Sequence, residues 1–245
     1  NHKALEELHS RGIPVVFSSG RATVSVQSMA ERIVPLADDE YIVSFNGARV
    51  VTAKSGQVLF ERILEQPLIR EIADYTRAEG LLTQGYDSDA FLVEFEDPRV
   101  EAYASDTGMS YRVVGNLADA LPDGSAKLLI IGVAGELVEH KRRLDLLARG
   151  RWTVTFSKPE YLEVVSPGVD KGEALRTLSD HLGIPIEETV AAGDSLNDHA
   201  MLEAAGLGVA VANAREELKA VADVVLERTA AEGAMAELVE RFFPR

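Results

Sequence analysis

TVAAGDSLNDHAMLEAAGLGVAVANA, residues 189–214, decides how the rest of the chain is read. It opens on a short apolar run, 189–192, which reads as a buried strand. The run breaks at Gly193, and Asp194, Ser195, Asn197 and Asp198 follow at once. Helical spacing then returns with Ala200, Met201, Leu202 and Ala205, and a second apolar run, 207–212, ends at Asn213. Polar groups therefore crowd the carboxyl end of a parallel strand, where ligands bind in open α/β sheets.

These residue types suit a phosphate and a hard cation. Asp194 and Asp198 stand four apart on a strand-to-helix turn, so both can face one small volume. Carboxylate oxygens suit Mg²⁺, which takes a few carboxylates together with phosphate oxygens and water. Gly193 lets the backbone approach a ligand closely. Asn197 and the N–H groups entering the helix can hold an anion. Aspartate, serine and asparagine are also ordinary turn and cap residues, so this stretch alone fits a solvated helix start as well.

Two further stretches carry the same chemistry. The apolar run 13–17 is followed by Ser18-Ser19-Gly20-Arg21, where a hydroxyl and a glycine N–H can donate to a phosphate oxygen. Lys171 sits between Asp170 and Gly172 at the start of a helical pattern over 173–182. A cation there opposes the helix dipole, which favours a ligand-facing role as a compact charge for phosphate. A solvated surface lysine is the alternative.

The chain has 245 residues, enough for one or two domains. Its 25 basic and 40 acidic residues give a net charge of −15, which argues against nucleic acid or an anionic membrane as the main partner. There is no cysteine, which fits a reducing, cytoplasmic setting. No apolar run approaches the ~18 residues of a membrane span. The five histidines show no metal spacing. Gly206-Leu207-Gly208 follows a helix where a dinucleotide fingerprint needs a strand, so it is set aside.

In chain order, 1–11 reads as a helix capped by Asn1, 24–33 as a second helix and 41–45 as a strand ending in Asn46-Gly47-Ala48. Strands are expected at 49–52 and 57–61. The pattern then changes. Helices are expected at 68–78, 97–105 and 136–148, and strands at 91–95, 127–133, 152–156 and 161–165. Several of these strands alternate, as in a sheet with one exposed face. The expected organisation is an α/β core of 1–48 and 159–245 with an inserted α+β domain over 49–158. Short helices over 216–221 and 234–243 flank a strand at 223–226.

The ordered set Ser19-Gly20-Arg21, Asn46-Gly47-Ala48, Lys171-Gly172, Gly193-Asp194-Ser195-Leu196-Asn197-Asp198 and Asn213-Ala214 resembles the Cof-type sugar-phosphate phosphatases of the haloacid dehalogenase (HAD) superfamily. The resemblance covers essentially the whole chain. It implies a Rossmann-like core, an inserted cap domain, Mg²⁺, and hydrolysis of small phosphorylated metabolites through an aspartyl-phosphate. It implies phosphate contacts at Ser19, Gly20, Arg21, Asn46 and Asn197. Lys171 would neutralise phosphate charge, Asp194 would bind the metal, and Asp198 would support the metal or Lys171.

The family's first motif, Asp-x-Asp at the end of the first strand, has no counterpart on an apolar strand here. Asp87-Ser88-Asp89 has the spacing but falls in the inserted domain. The expectation is therefore that the nucleophile lies upstream of residue 1, on a strand between those ending at Ser18 and Ala192. A non-catalytic phosphate-ester binding protein is the alternative from a different class. A relative resembling a phosphomutase or sucrose phosphatase is a further one.

Overall fold

The computed structural model describes residues 1–244. In chain order the elements are α1 (His2–Ser10), β1 (Val16–Ser18), α2 (Thr23–Glu31), β2 (Tyr41–Ser44), β3 (Arg49–Thr52), β4 (Val58–Glu61), α3 (Gln66–Ala78), β5 (Leu82–Tyr86), β6 (Ala90–Val93), α4 (Pro98–Thr107), β7 (Ser110–Val113), α5 (Leu117–Ala120) and β8 (Leu128–Ile131). They continue with α6 (Ala134–Ala148), β9 (Thr153–Lys158), β10 (Tyr161–Val165), α7 (Lys171–Leu182), β11 (Val190–Gly193), α8 (His199–Ala204), β12 (Leu207–Ala210), α9 (Glu216–Lys219), β13 (Val224–Val225) and α10 (Ala234–Phe242).

Two compact units result: Asn1–Phe60 with the chain from Asp170 onward, and Glu61–Val169. The boundaries expected at 48/49 and 158/159 therefore move. Strand pairing is the reason. β3 lies antiparallel on β2 and β4 follows it, so this hairpin extends the first unit's sheet. β10 lies between β8 and β9, so 159–169 stays with the second unit.

The first unit is α/β. One sheet has the order β1-β2-β3-β4, with β1 and β2 parallel. A second has the order β11-β12-β13, all parallel. Tyr41, Ile42, Val43 and Ser44 of β2 are all buried, as expected for a strand covered on both faces. Tyr41 and Val43 pack with Val50 against Ala174 and Leu178 of α7. Ile42 points the other way, with Val51 and Ala53 against Val26 of α2. The second sheet buries Ala191, Val209 and Ala210 with Leu8 of α1, Leu202 of α8 and Leu238 of α10.

Asn1 does not cap its own helix through its side chain. Its Nδ2 donates to Ala230 O at 2.7 Å and its Oδ1 accepts from Met235 N at 3.0 Å, so it fastens the start of α10 instead.

The edges of β1 and β11 share a property that bears on the site. Tyr41 N donates to Val15 O at 3.0 Å and Ser19 N to Val43 O at 2.9 Å, so the odd-numbered residues of β1 face β2. Val16 and Ser18 turn their backbone groups to the opposite side. On β11, Leu207 N donates to Thr189 O at 3.0 Å and Val211 N to Gly193 O at 3.2 Å. Val190 and Ala192 therefore face away from β12. Neither edge is paired with another strand among the described residues. A cavity of about 280 Å³ is lined by Val16, Val190 and Ala192 together with Leu175, Leu178 and Leu238.

The second unit is one six-stranded sheet, β7-β6-β5-β8-β10-β9, antiparallel except where β6 meets β7. Leu92, Leu128, Ile130, Leu162 and Val164 pack on Ile69 and Ile72 of α3 and on Leu137 and Leu144 of α6. β5 and β7 are strands that sequence periodicity does not mark. β5 reads Leu-Thr-Gln-Gly-Tyr, yet all five residues are buried.

Candidate active site

Four turns of the first unit carry the chemistry. Each follows a strand or opens a helix. After β1, Ser19 Oγ accepts from Arg21 N at 3.2 Å, closing a hydroxyl turn. That turn is laced to the next one. Phe45 N donates to Arg21 O at 2.9 Å, and Asn46 N donates to Ser19 O at 3.2 Å.

Lys171 is the first residue of α7 and is only 5% exposed. Asp170 caps the helix by accepting from Glu173 N at 2.8 Å. Burying a cation at this positive helix end is unfavourable unless a carboxylate faces it. Asp198 does. Lys171 Nζ lies 2.5 Å from Asp198 Oδ1 and donates to Ser18 O at 3.4 Å.

Asp198 is itself 5% exposed, and its other oxygen is also engaged. Asp198 Oδ2 accepts from Asp194 N and from Ser195 N, each at 3.0 Å. Ser195 and Asp198 form a reciprocal capping box. Gly193 is required by this tightness, since a Cβ there would lie 2.6 Å from Asp198 Cβ. Both Asp198 oxygens thus accept hydrogen bonds, one from Lys171 and one from the loop, so Asp198 orients both.

Asp194 is the available carboxylate. It is exposed, and its Oδ1 accepts from Ser195 Oγ at 3.3 Å. Arg215 N donates to Asp194 O at 3.1 Å and anchors the loop from the far side. No group of three or more metal-ligating His, Cys, Asp or Glu side chains occurs among the described residues. One hard carboxylate completed by phosphate oxygens and water is the arrangement Mg²⁺ accepts. The donor set fits that ion.

The structure thus places Lys171 on Asp198 and Asn197 on Asn46, whose Oδ1 accepts from Asn197 Nδ2 at 2.9 Å. Ser19, Gly20 and Arg21 form the turn beside them, with Arg21 held through its backbone. Asn213 stands apart. Its Oδ1 accepts from Ala230 N at 3.1 Å, a loop-fastening role. Asp87-Ser88-Asp89 is a structural turn: Asp87 accepts from Asp89 N at 3.1 Å and pairs with Arg112. Sequence reasoning missed Ser18, whose carbonyl holds Lys171. A backbone acceptor leaves no mark in side-chain pattern.

Residues 1–238 match the family model described as haloacid dehalogenase-like hydrolase. The chain belongs to that family. Phosphatase YwpJ of Bacillus subtilis is 30% identical over 250 residues, covering 92% of this chain and 86% of the relative. HMP-PP phosphatase of Cronobacter sakazakii is 29% identical, covering 89% and 78%. A haloacid dehalogenase-like hydrolase structure from Bacteroides thetaiotaomicron superposes with a TM-score of 0.89 at 31% identity, covering 98% of this chain and 90% of that one. A Thermotoga maritima structure does so with a TM-score of 0.87 at 32% identity, covering 98% and 88%. The fold is accordingly that of the HAD family, with a Rossmann-like core, and the chain is an enzyme of the Cof-type phosphatase branch. The alternative of a non-catalytic binder gives way.

Proposed function

We propose that this HAD-family chain is a Mg²⁺-dependent phosphatase that removes phosphate from small phosphorylated metabolites, sugar phosphates among them, through an aspartyl-phosphate. The observation that carries the reading is the buried Lys171–Asp198 pair beside the exposed Asp194. It puts one fixed positive charge and one uncommitted carboxylate at a single strand-end site. Phosphoryl transfer asks mainly for positioning and charge neutralisation, which this arrangement supplies.

Each residue has a role in that reading. Lys171 neutralises charge on the transferring group. Ser19 Oγ, the Gly20 N–H, Arg21 and Asn197 hold its oxygens. Asp194 holds Mg²⁺, which when bound adds positive charge against the phosphate. Asp198 keeps Lys171 and the loop in place.

The phosphoryl acceptor is neither Asp194 nor Asp198 in this account, because one serves the cation and the other is buried against Lys171 and the loop. We place it upstream of Asn1, on a strand paired with the outward-facing backbone of Val16, Ser18, Val190 and Ala192. Such a strand would fill the apolar cavity and deliver its carboxyl end beside Lys171. The second unit is the cap that selects the substrate. No helix among the described residues is long and apolar enough to cross a membrane. A cytoplasmic setting is part of this proposal, and the cysteine-free composition suits a reducing compartment.

Relatives named phosphatases, one of them an HMP-PP phosphatase, support a small phosphorylated substrate. Phosphate release from a panel of phosphate esters, with Mg²⁺ and with chelator, tests the reading. Product analysis with a hexose phosphate separates hydrolysis from mutase chemistry. Release that is equal with and without metal contradicts the proposal.

A further inference from the structure

The turn after β2 holds three successive residues in the left-handed region. Phe45 has φ 51°, Asn46 φ 59° and Gly47 φ 104°. Asparagine and glycine tolerate this region, but a phenylalanine does not without support. The support is visible. Phe45 is 2% exposed, and the Arg49 guanidinium lies 5.7 Å from its ring centroid. A disfavoured backbone held this firmly must serve what it presents, and it presents Asn46.

Asn46 joins three of the four turns. Its N–H donates to Ser19 O at 3.2 Å. Its Oδ1 accepts from Asn197 Nδ2 at 2.9 Å. That oxygen also closes over Gly20, where a Cβ would lie 2.5 Å away. An asparagine amide has two N–H donors. Asn46 takes one of the two on Asn197.

We infer that Asn46 is a positioning residue: it fixes the Asn197 carboxamide so that the second N–H of Nδ2 faces the phosphate. The inference rests on the reading that Asn197 contacts phosphate. It changes the part expected for Asn46 itself, from a phosphate contact to the support of one.

Two substitutions separate backbone from side chain. Asn46→Gly keeps a residue at ease with positive φ and removes the acceptor. Asn46→Asp keeps an acceptor oxygen and adds negative charge. The readouts are KM, kcat and competitive inhibition by inorganic phosphate in the full natural protein. Asn46→Gly is expected to weaken phosphate inhibition and lower kcat/KM by roughly 10-fold, the worth of one oriented hydrogen bond. Asn46→Asp still accepts from Asn197 but brings a negative charge toward the phosphate, so it too is expected to weaken phosphate inhibition, through repulsion.

The decisive comparison is made in an Asn197→Ala background, where Asn46→Gly is expected to have no further effect. An undiminished effect of Asn46→Gly there shows that Asn46 acts on the phosphate without Asn197 and overturns the positioning role. Unchanged phosphate inhibition in Asn197→Ala overturns the phosphate reading on which the inference rests.

Discussion

Lys171 Nζ and Asp198 Oδ1 lie 2.5 Å apart, and neither residue is more than 5% exposed. The two are 27 residues apart in sequence, and their contact ties the first turn of α7 to the turn after β11. A buried charge pair of this kind is costly to break from one side, by about 3–5 kcal/mol, because the partner is left uncompensated.

Lys171→Met therefore has two expected consequences. The rate of phosphate release falls by at least about 10²-fold, as loss of one transition-state charge contact does. The thermal midpoint falls too, because Asp198 stays buried and unpaired. Adding Asp198→Asn should restore part of the midpoint and none of the activity. Calorimetry with steady-state assays checks both, and activity that returned with stability would mean Lys171 is only structural.

The loop around Asp198 should be the more fragile partner. Asp198→Ala takes the acceptor from the part-buried N–H groups of Asp194 and Ser195 and leaves buried Lys171 with Ser18 O at 3.4 Å and no facing carboxylate. A buried group left under-satisfied costs about 1–3 kcal/mol, more when it is charged. Denaturant unfolding should show a loss larger than that of an exposed substitution such as Glu203→Ala. Equal losses would mean the loop is held by other contacts.

The outward backbone groups of Val16, Ser18, Val190 and Ala192 make a prediction about the proposed acceptor strand. If such a strand pairs with both edges in the natural protein, the amides of these residues are protected from hydrogen exchange like those of a central sheet. Fast exchange at all four would leave the acceptor without a seat.

Glu237 gives the expected pH dependence. Its carboxylate accepts from Glu227 N at 3.0 Å and from Arg228 N at 2.9 Å, and Arg241 lies beside it. Those bonds, Glu227 N–H first, lower its pKa below the ordinary glutamate value. A lowered folded pKa means the contribution is complete above the unfolded pKa of about 4.3 and disappears as pH falls through the folded one. The thermal midpoint of Glu237→Gln should therefore trail wild type at pH 7, and the gap should narrow as pH falls below the unfolded value and through the lowered folded one. A gap independent of pH would assign the difference to packing.

Much of the core was legible because one residue type did one job. The run 189–192 is apolar up to the glycine that Asp198 crowds, so strand, turn and helix declare themselves. Lys171 stood out because a cation at a helix start runs against the dipole. The link from Asn46 to Asn197 spans 151 residues, and no local pattern encodes it. β5 went unmarked because Thr83, Gln84 and Gly85 break the apolar rhythm, although tertiary packing buries all of them. The domain boundaries were displaced for a different reason: 49–52 pairs back onto 41–44 and 161–165 pairs onto 128–131, and alternation alone does not say which sheet a strand joins.

The most direct test of the account is a Mg²⁺ titration of phosphate release by the natural protein and its Asp194→Asn variant. Asp194 is exposed, and among the described residues its side chain accepts from its neighbour's hydroxyl at 3.3 Å, so the substitution should leave the fold intact. The account predicts activity that requires Mg²⁺ in the wild type and falls by at least about 10²-fold in the variant at every Mg²⁺ concentration. A variant with wild-type rates and an unchanged Mg²⁺ response would contradict it.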